Sequence, residues 1–228
     1  MYNTNLGFDK QIKEAFKLKP DLGGIIHGSE RRVFRGARDR VISSFPSRKI
    51  GGALLLEGEL ERATAICLES SNIVSRYITQ SMRIRLSAKH YVIPDFLVER
   101  CDRSHVVIEV KPSIKGLPEE KRERYALCSE LLKREGIEFR IIDSYILPTR
   151  YKFYELKTFY LRGHQHHWSP DAQKMAMQIL NEKKIKKIQS GRLQLISEGL
   201  PGELCDYLVF HKHYSFIDAS NNTVEIAA

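Results

Sequence analysis

Three residues carry charge inside otherwise apolar runs. Asp95 follows Pro94 between Val92-Ile93 and Phe96-Leu97-Val98, while Glu109 and Lys111 flank Val110 at the end of Val106-Val107-Ile108. A strand alternates its faces, so Glu109 and Lys111 share one face and Val110 takes the other. An acid and a base on a buried strand face are costly unless they are paired or bind something. Convergent carboxylates and a lysine on rigid elements are the parts needed to hydrolyse a phosphodiester. The carboxylates hold Mg²⁺ with positions left open for water and phosphate, with Mn²⁺ able to substitute. The lysine orients or deprotonates the water, or stabilises the charge that develops. A third carboxylate is expected from the helix upstream. Glu57 and Glu61 stand four apart there, and their spacing does not choose between them.

The elements that must position these residues follow from periodicity. Residues 53–69 read as a helix, because Leu56, Leu60, Ala63 and Cys67 recur at steps of three and four. Tyr77-Ile78-Thr79, 82–86, 91–98 and 106–111 read as strands of an antiparallel meander, with polar turns at 87–90 and 100–104. A helix opens at Pro118, presents Leu127, Cys128, Leu131 and Leu132 as its buried stripe, and closes at Gly136. Phe139-Arg140-Ile141-Ile142 is the next strand. Strand, crossover helix and strand predict a parallel pair. The fold class is therefore α/β, a mixed sheet of about four or five strands flanked by helices. From Pro148 the composition changes. Residues 151–168 hold six aromatics and three histidines with little periodicity. Ser169-Pro170 caps a further helix that ends in Lys183–Lys187, and 208–210 and 214–218 read as a closing hairpin. The expected organisation is a basic arm and lead-in (1–52), a core (53–148) and a small C-terminal α+β, winged-helix-like domain (149–228).

Charge points to the same kind of substrate. The net charge is +9, and residues 1–52 hold 11 Lys/Arg against 5 Asp/Glu. Such a surplus favours nucleic acid. Arg31, Arg32, Arg35 and Arg38 in the arm, with Arg48 and Lys49 in Phe45-Pro46-Ser47-Arg48-Lys49, which reads as a turn, are the expected DNA contacts, because the guanidinium fork suits phosphate oxygens. Cys67, Cys101, Cys128 and Cys205 form no CxxC pair and read as reduced thiols. No apolar run approaches bilayer length and the N-terminus lacks a secretory pattern, so a cytoplasmic, nucleoid-associated protein is expected. His164, His166 and His167, with Cys205, His211 and His213, lack finger-like spacing and read as polar loop residues rather than a zinc site. Glu69 reads as a surface residue.

Pro94-Asp95 followed by Glu109-x-Lys111 resembles the PD-(D/E)XK nuclease superfamily. The likeness extends to Phe45-Pro46-Ser47-Arg48-Lys49, Glu57-Gly58-Glu59-Leu60-Glu61-Arg62, Val74 with Gln80, and Glu109-Val110-Lys111-Pro112. Across about residues 40–115 these resemble the TnsA family, including the shorter members found in CRISPR-associated transposons. Gly58 stands where the family has serine and Ser81 where it has proline; neither position is a ligand. The resemblance implies a restriction-endonuclease-like fold, with Glu61, Asp95 and Glu109 as metal ligands and Lys111 as a catalytic residue. It also implies cutting of the 5′ strands at transposon ends, jointly with a DDE transposase (TnsB) and an AAA+ ATPase (TnsC). A stand-alone restriction or repair nuclease of the same fold is the alternative within the class. A non-catalytic DNA-bound adaptor is the alternative outside it, but it leaves Glu109 and Lys111 without a reason.

Overall fold

A computed structural model of the chain describes residues 7–33 and 42–215. Arg35 and Arg38 lie outside the described residues, as do 216–218 of the expected terminal hairpin. The chain divides between Leu147 and Pro148 into two compact units.

The first unit holds three helices and nine strands among its described residues: α1 (Phe8–Ala15), β1 (Ile25–Ile26), β2 (Ile42–Ser47), β3 (Gly52–Glu57), α2 (Glu59–Ser70), β4 (Val74–Thr79), β5 (Ile84–Arg85), β6 (Tyr91–Val92), β7 (Phe96–Arg100), β8 (His105–Lys111), α3 (Glu119–Arg134) and β9 (Glu138–Asp143). The main sheet has the order β4-β7-β8-β9; β4, β7 and β8 run antiparallel, and β8 and β9 parallel through α3. This is the mixed α/β sheet with flanking helices that the sequence predicts, and it is consistent with a restriction-endonuclease-like fold. Its central strands carry near-continuous apolar runs. Phe96, Leu97 and Val98 face Ile108, Val107 and Val106 across the ladder, and all six are buried. Gly136 has φ +71 and ends α3, as a helix C-terminus often requires.

Several elements differ from expectation. Residues 53–69 are not one helix. Gly52–Glu57 is the central strand of a second sheet, β1-β3-β2, and only Glu59–Ser70 is helical. Leu54, Leu55 and Leu56 are all buried, so both faces of β3 are covered. A short apolar run of this kind fits either template by periodicity. Gly58, with φ +102, makes the sharp turn between strand and helix. Phe45-Pro46-Ser47 is strand rather than turn. Pro46 is tolerated because β2 is an edge strand. The expected strand 91–98 is split at Ile93-Pro94-Asp95, where proline cannot donate to a ladder. In α3 the buried face is Tyr125, Cys128 and Leu132, while Leu127 is exposed. Glu69 is buried rather than superficial, because Tyr77 Oη donates to it at 2.9 Å and Ser47 Oγ also donates to it.

The second unit contains α4 (Arg150–Gly163), α5 (Pro170–Glu182), α6 (Ile188–Ser197) and α7 (Glu203–Phe210). Ser169 Oγ accepts from Ala172 N at 3.1 Å and Pro170 opens α5, as the capping pattern predicts. Residues 208–210 belong to α7 and are not a strand. Leu204, Cys205, Leu208 and Phe210 are fully buried at steps of one, three and two, which places one helix face in the unit's interior. Among the described residues this unit is therefore all helical. Asp206, completely buried, is held by Arg192 at 2.5 and 3.1 Å and by Arg162 at 3.3 Å. Phe153, Phe159, Tyr160, Trp168 and Phe210 are buried in the unit, while Tyr151, Tyr154, His166 and His167 are exposed. His164 Nε2 lies 3.0 Å from His211 Nε2, and His164 Nδ1 lies 2.9 Å from the Tyr160 carbonyl.

Candidate functional site

The site forms where β7, β8 and the start of α2 converge. Register places Phe96 opposite Ile108, so Asp95, one residue before the ladder begins, falls beside Glu109. Asp95 Oδ2 accepts a hydrogen bond from Val110 N at 2.7 Å, and its own carbonyl accepts from Gln80 N at 3.1 Å. Asp95 thus stays tied to the end of β4 through its backbone while its carboxylate reaches the edge of β8.

Glu109 and Lys111 sit on the same side of β8, as alternation predicts. Glu109 is 6% exposed. Its Oε1 pairs with Lys111 Nζ at 2.5 Å and accepts from Tyr125 Oη of α3 at 2.9 Å. Its Oε2 is sealed from solvent and has no hydrogen-bond partner. Lys111 Nζ also donates to the Val110 carbonyl at 3.1 Å and stands 5.9 Å from the centre of the Tyr125 ring. Burial works against its ammonium, but the charge and hydrogen bond of Glu109 and the charge of Asp95 outweigh that, and the lysine pKa is raised. Lys111 is therefore a cation at neutral pH.

Glu61 reaches the site from the first turn of α2. Its Oε2 accepts from Glu57 N at 2.8 Å, which ties the first turn of α2 back to the end of β3. Glu57 ends β3 and pairs with Arg31 Nη2 at 2.5 Å. The two glutamates are neighbours, but the turn at Gly58 and not a shared helix face brings them together. Burial, then the negative charge of Asp95, pushes the Glu61 carboxyl up to about 8. Burial, then the charge of Glu109, pushes Asp95 up to about 7. Arg31 lowers both, but less. The structure thus gathers more negative charge than its own cations neutralise.

That surplus bears on a divalent ion. Among the described residues no three acidic, histidine or cysteine side chains stand close enough to form a ready-made cage. Mg²⁺ does not require one, since one or two carboxylates with waters and substrate phosphate suffice. Hard oxygen donors, an orphaned buried carboxylate oxygen on Glu109 and mutually repelling carboxylates at Asp95 and Glu61 fit such an ion. Asp95 and Glu109 could hold it, one or two carboxylates being enough.

The expected DNA contacts divide. Arg32 and Arg48 are exposed. Arg31, also exposed, pairs with Glu57 beside the carboxylates. Lys49 departs from expectation: its ammonium donates to the Ser71 and Val74 carbonyls at 2.5 and 2.6 Å, tying the end of α2 to β4. Burial, opposed by Glu69, draws its pKa down to about 8. In this structure its ammonium serves to hold these two carbonyls. Sequence reasoning missed Tyr125. A tyrosine on the buried face of a helix needs a partner for its hydroxyl, and that was the available signal. Among the described residues no helix is long and apolar enough to cross a membrane.

Residues 71–144 match the family model described as TnsA-like endonuclease N terminal. The matched segment runs from just before β4 through β9, so it contains Asp95, Glu109, Lys111 and Tyr125 but stops short of Glu61. A comparison with curated proteins found no match.

Proposed function

For a chain whose residues 71–144 belong to the TnsA-like endonuclease family, a nuclease domain of the transposition type, we propose a metal-dependent endonuclease subunit that cuts the 5′ strands at transposon ends. The observation that carries this reading is the convergence of Asp95, Glu109 and Lys111 at the meeting of β7 and β8, with Glu61 entering from α2. Asp95, Glu109 and Glu61 hold Mg²⁺, and Mn²⁺ substitutes. When bound, the ion neutralises the scissile phosphate and makes its water more acidic. Asp95 is fixed by the Val110 amide, so its carboxylate is aimed before substrate arrives. Lys111, a cation, stabilises the charge that develops on the phosphate rather than taking a proton. Arg32 and Arg48 contact the backbone phosphates of double-stranded DNA. Arg31 is positioned to join them by leaving Glu57.

The proposed partners are a TnsB-type DDE transposase, which handles the 3′ strand, and a TnsC-type AAA+ ATPase. A nuclease reading little sequence would damage the genome if it acted alone, so dependence on partners is physically reasonable. The experiment is Asp95→Ala in a reconstituted transposition reaction with both partners. Loss of 5′-strand cutting with 3′-strand joining retained is expected. Undiminished 5′ cutting refutes the assignment, and vigorous cutting of naked DNA by the purified wild-type chain would favour the stand-alone nuclease.

A further inference from the structure

The Glu109 carboxylate is held unevenly. Tyr125 Oη and Lys111 Nζ both engage Oε1, while Oε2 is buried with no partner. A buried acceptor left unsatisfied costs the desolvation of that oxygen, and such groups in native proteins call for an explanation. We propose that Tyr125 is a positioning residue of the nuclease site: its hydroxyl clamps Oε1 so that Oε2 is the oxygen presented to a divalent cation. The proposal rests on the reading of Asp95 and Glu109 as ligands.

The two holders of Oε1 differ in kind. Lys111 has a long flexible stem and a side chain that is 21% exposed, so it can turn toward a substrate phosphate. Tyr125 has few rotatable bonds, is buried on α3 and packs on Phe139 with ring centres 6.1 Å apart. Its hydroxyl donates to Oε1 at 2.9 Å. A hydrogen bond of this kind, behind a ligand rather than at the metal, orients the donor and tunes its affinity. Asp95 has its counterpart in the Val110 amide, which holds one oxygen, Oδ2.

The test is Mn²⁺ binding to the metal-free full-length chain, measured by calorimetry without DNA or partners. Tyr125→Phe is expected to weaken binding by about tenfold or more. Tyr77→Phe is the control. Tyr77 also donates to a buried glutamate, Glu69, at 2.9 Å but away from the site, so it should lower the melting temperature without changing Mn²⁺ affinity. In a Glu109→Gln background Tyr125→Phe should weaken Mn²⁺ no further, since the tyrosine acts through that carboxylate. Wild-type affinity in Tyr125→Phe overturns the proposal. If Asp95→Asn and Glu109→Gln lose Mn²⁺ while Tyr125→Phe keeps it, only the positioning role falls. If neither Asp95→Asn nor Glu109→Gln changes binding, the ligand reading falls and the positioning role with it.

Discussion

Replacing Asp95 by asparagine should make the metal-free protein more stable at alkaline pH while destroying its site. The folded chain holds the Asp95 proton up to about 7, whereas an aspartate in the unfolded chain releases it near its ordinary value of 3.8. A carboxyl whose folded pKa is raised costs nothing below about pH 4, costs progressively more as pH rises, and reaches its full cost above the folded pKa. The interval from 3.8 to about 7 spans roughly three decades of acidity, each about 1.4 kcal/mol, so the cost at pH 8 is at most about 4 kcal/mol. Because Asp95 shares repulsion with Glu109 and Glu61, the part recovered by neutralising it alone is nearer about 2 kcal/mol. Asparagine keeps the shape and a carbonyl to accept from the Val110 amide. In EDTA at pH 8, thermal unfolding followed by circular dichroism should show Asp95→Asn melting about 4–8 °C above wild type. The gain should vanish near pH 4. Adding Mn²⁺ at pH 8 should raise the wild-type melting temperature and leave the variant nearly unmoved. A variant equal to or less stable than wild type at pH 8, or a gain that persists on acidification, would refute the electrostatic account of this site.

Three further perturbations separate structure from chemistry. Glu69→Ala strips Tyr77 and Lys49 of a buried carboxylate, and should cost about 3 kcal/mol in chemical denaturation while Mn²⁺ affinity stays at the wild-type value. Asp206→Ala leaves Arg192 facing an empty buried position and should cost the second unit about 3–5 kcal/mol, seen as faster amide exchange in α4, α6 and α7 with protection in the β4-β7-β8-β9 sheet unchanged. Gly28→Ala would drive a methyl into the Thr79 and Gln80 backbone carbonyls, so the segment leading to Arg31 must shift. About 1–3 kcal/mol of destabilisation should accompany weaker DNA binding in a fluorescence titration.

How much of this was legible differs by element. Asp95, Glu109 and Lys111 stood out because charge in an apolar strand is expensive, and the structure brings these three together. The parallel pairing of β8 and β9 followed from a strand, a capped helix and a strand. Residues 53–57 were misread because three leucines in a row satisfy helical and strand templates alike, and only pairing with β2 on one side and β1 on the other decides between them. Leu208-Val209-Phe210 misled in the opposite sense: a β-prone triplet is helical because the buried face of α7 recruits it. Lys49 looked like one more cation of a basic arm until two carbonyls claimed it.

The sequence by itself determined the chemistry on offer: which residues carry charge into the core, which strand faces they share, and the basic surplus suited to DNA. Those properties are local, since residue type, period and composition are carried along the chain. How the charges meet is set by the fold. The φ of Gly58 brings Glu61 to Glu57 and turns it toward Asp95, the Val110 amide holds Asp95 beside Glu109, and α3 crosses back to lay Tyr125 on one oxygen of that glutamate and leave the other waiting. Such meetings depend on packing between segments distant in sequence, and periodicity within a segment carries no record of them.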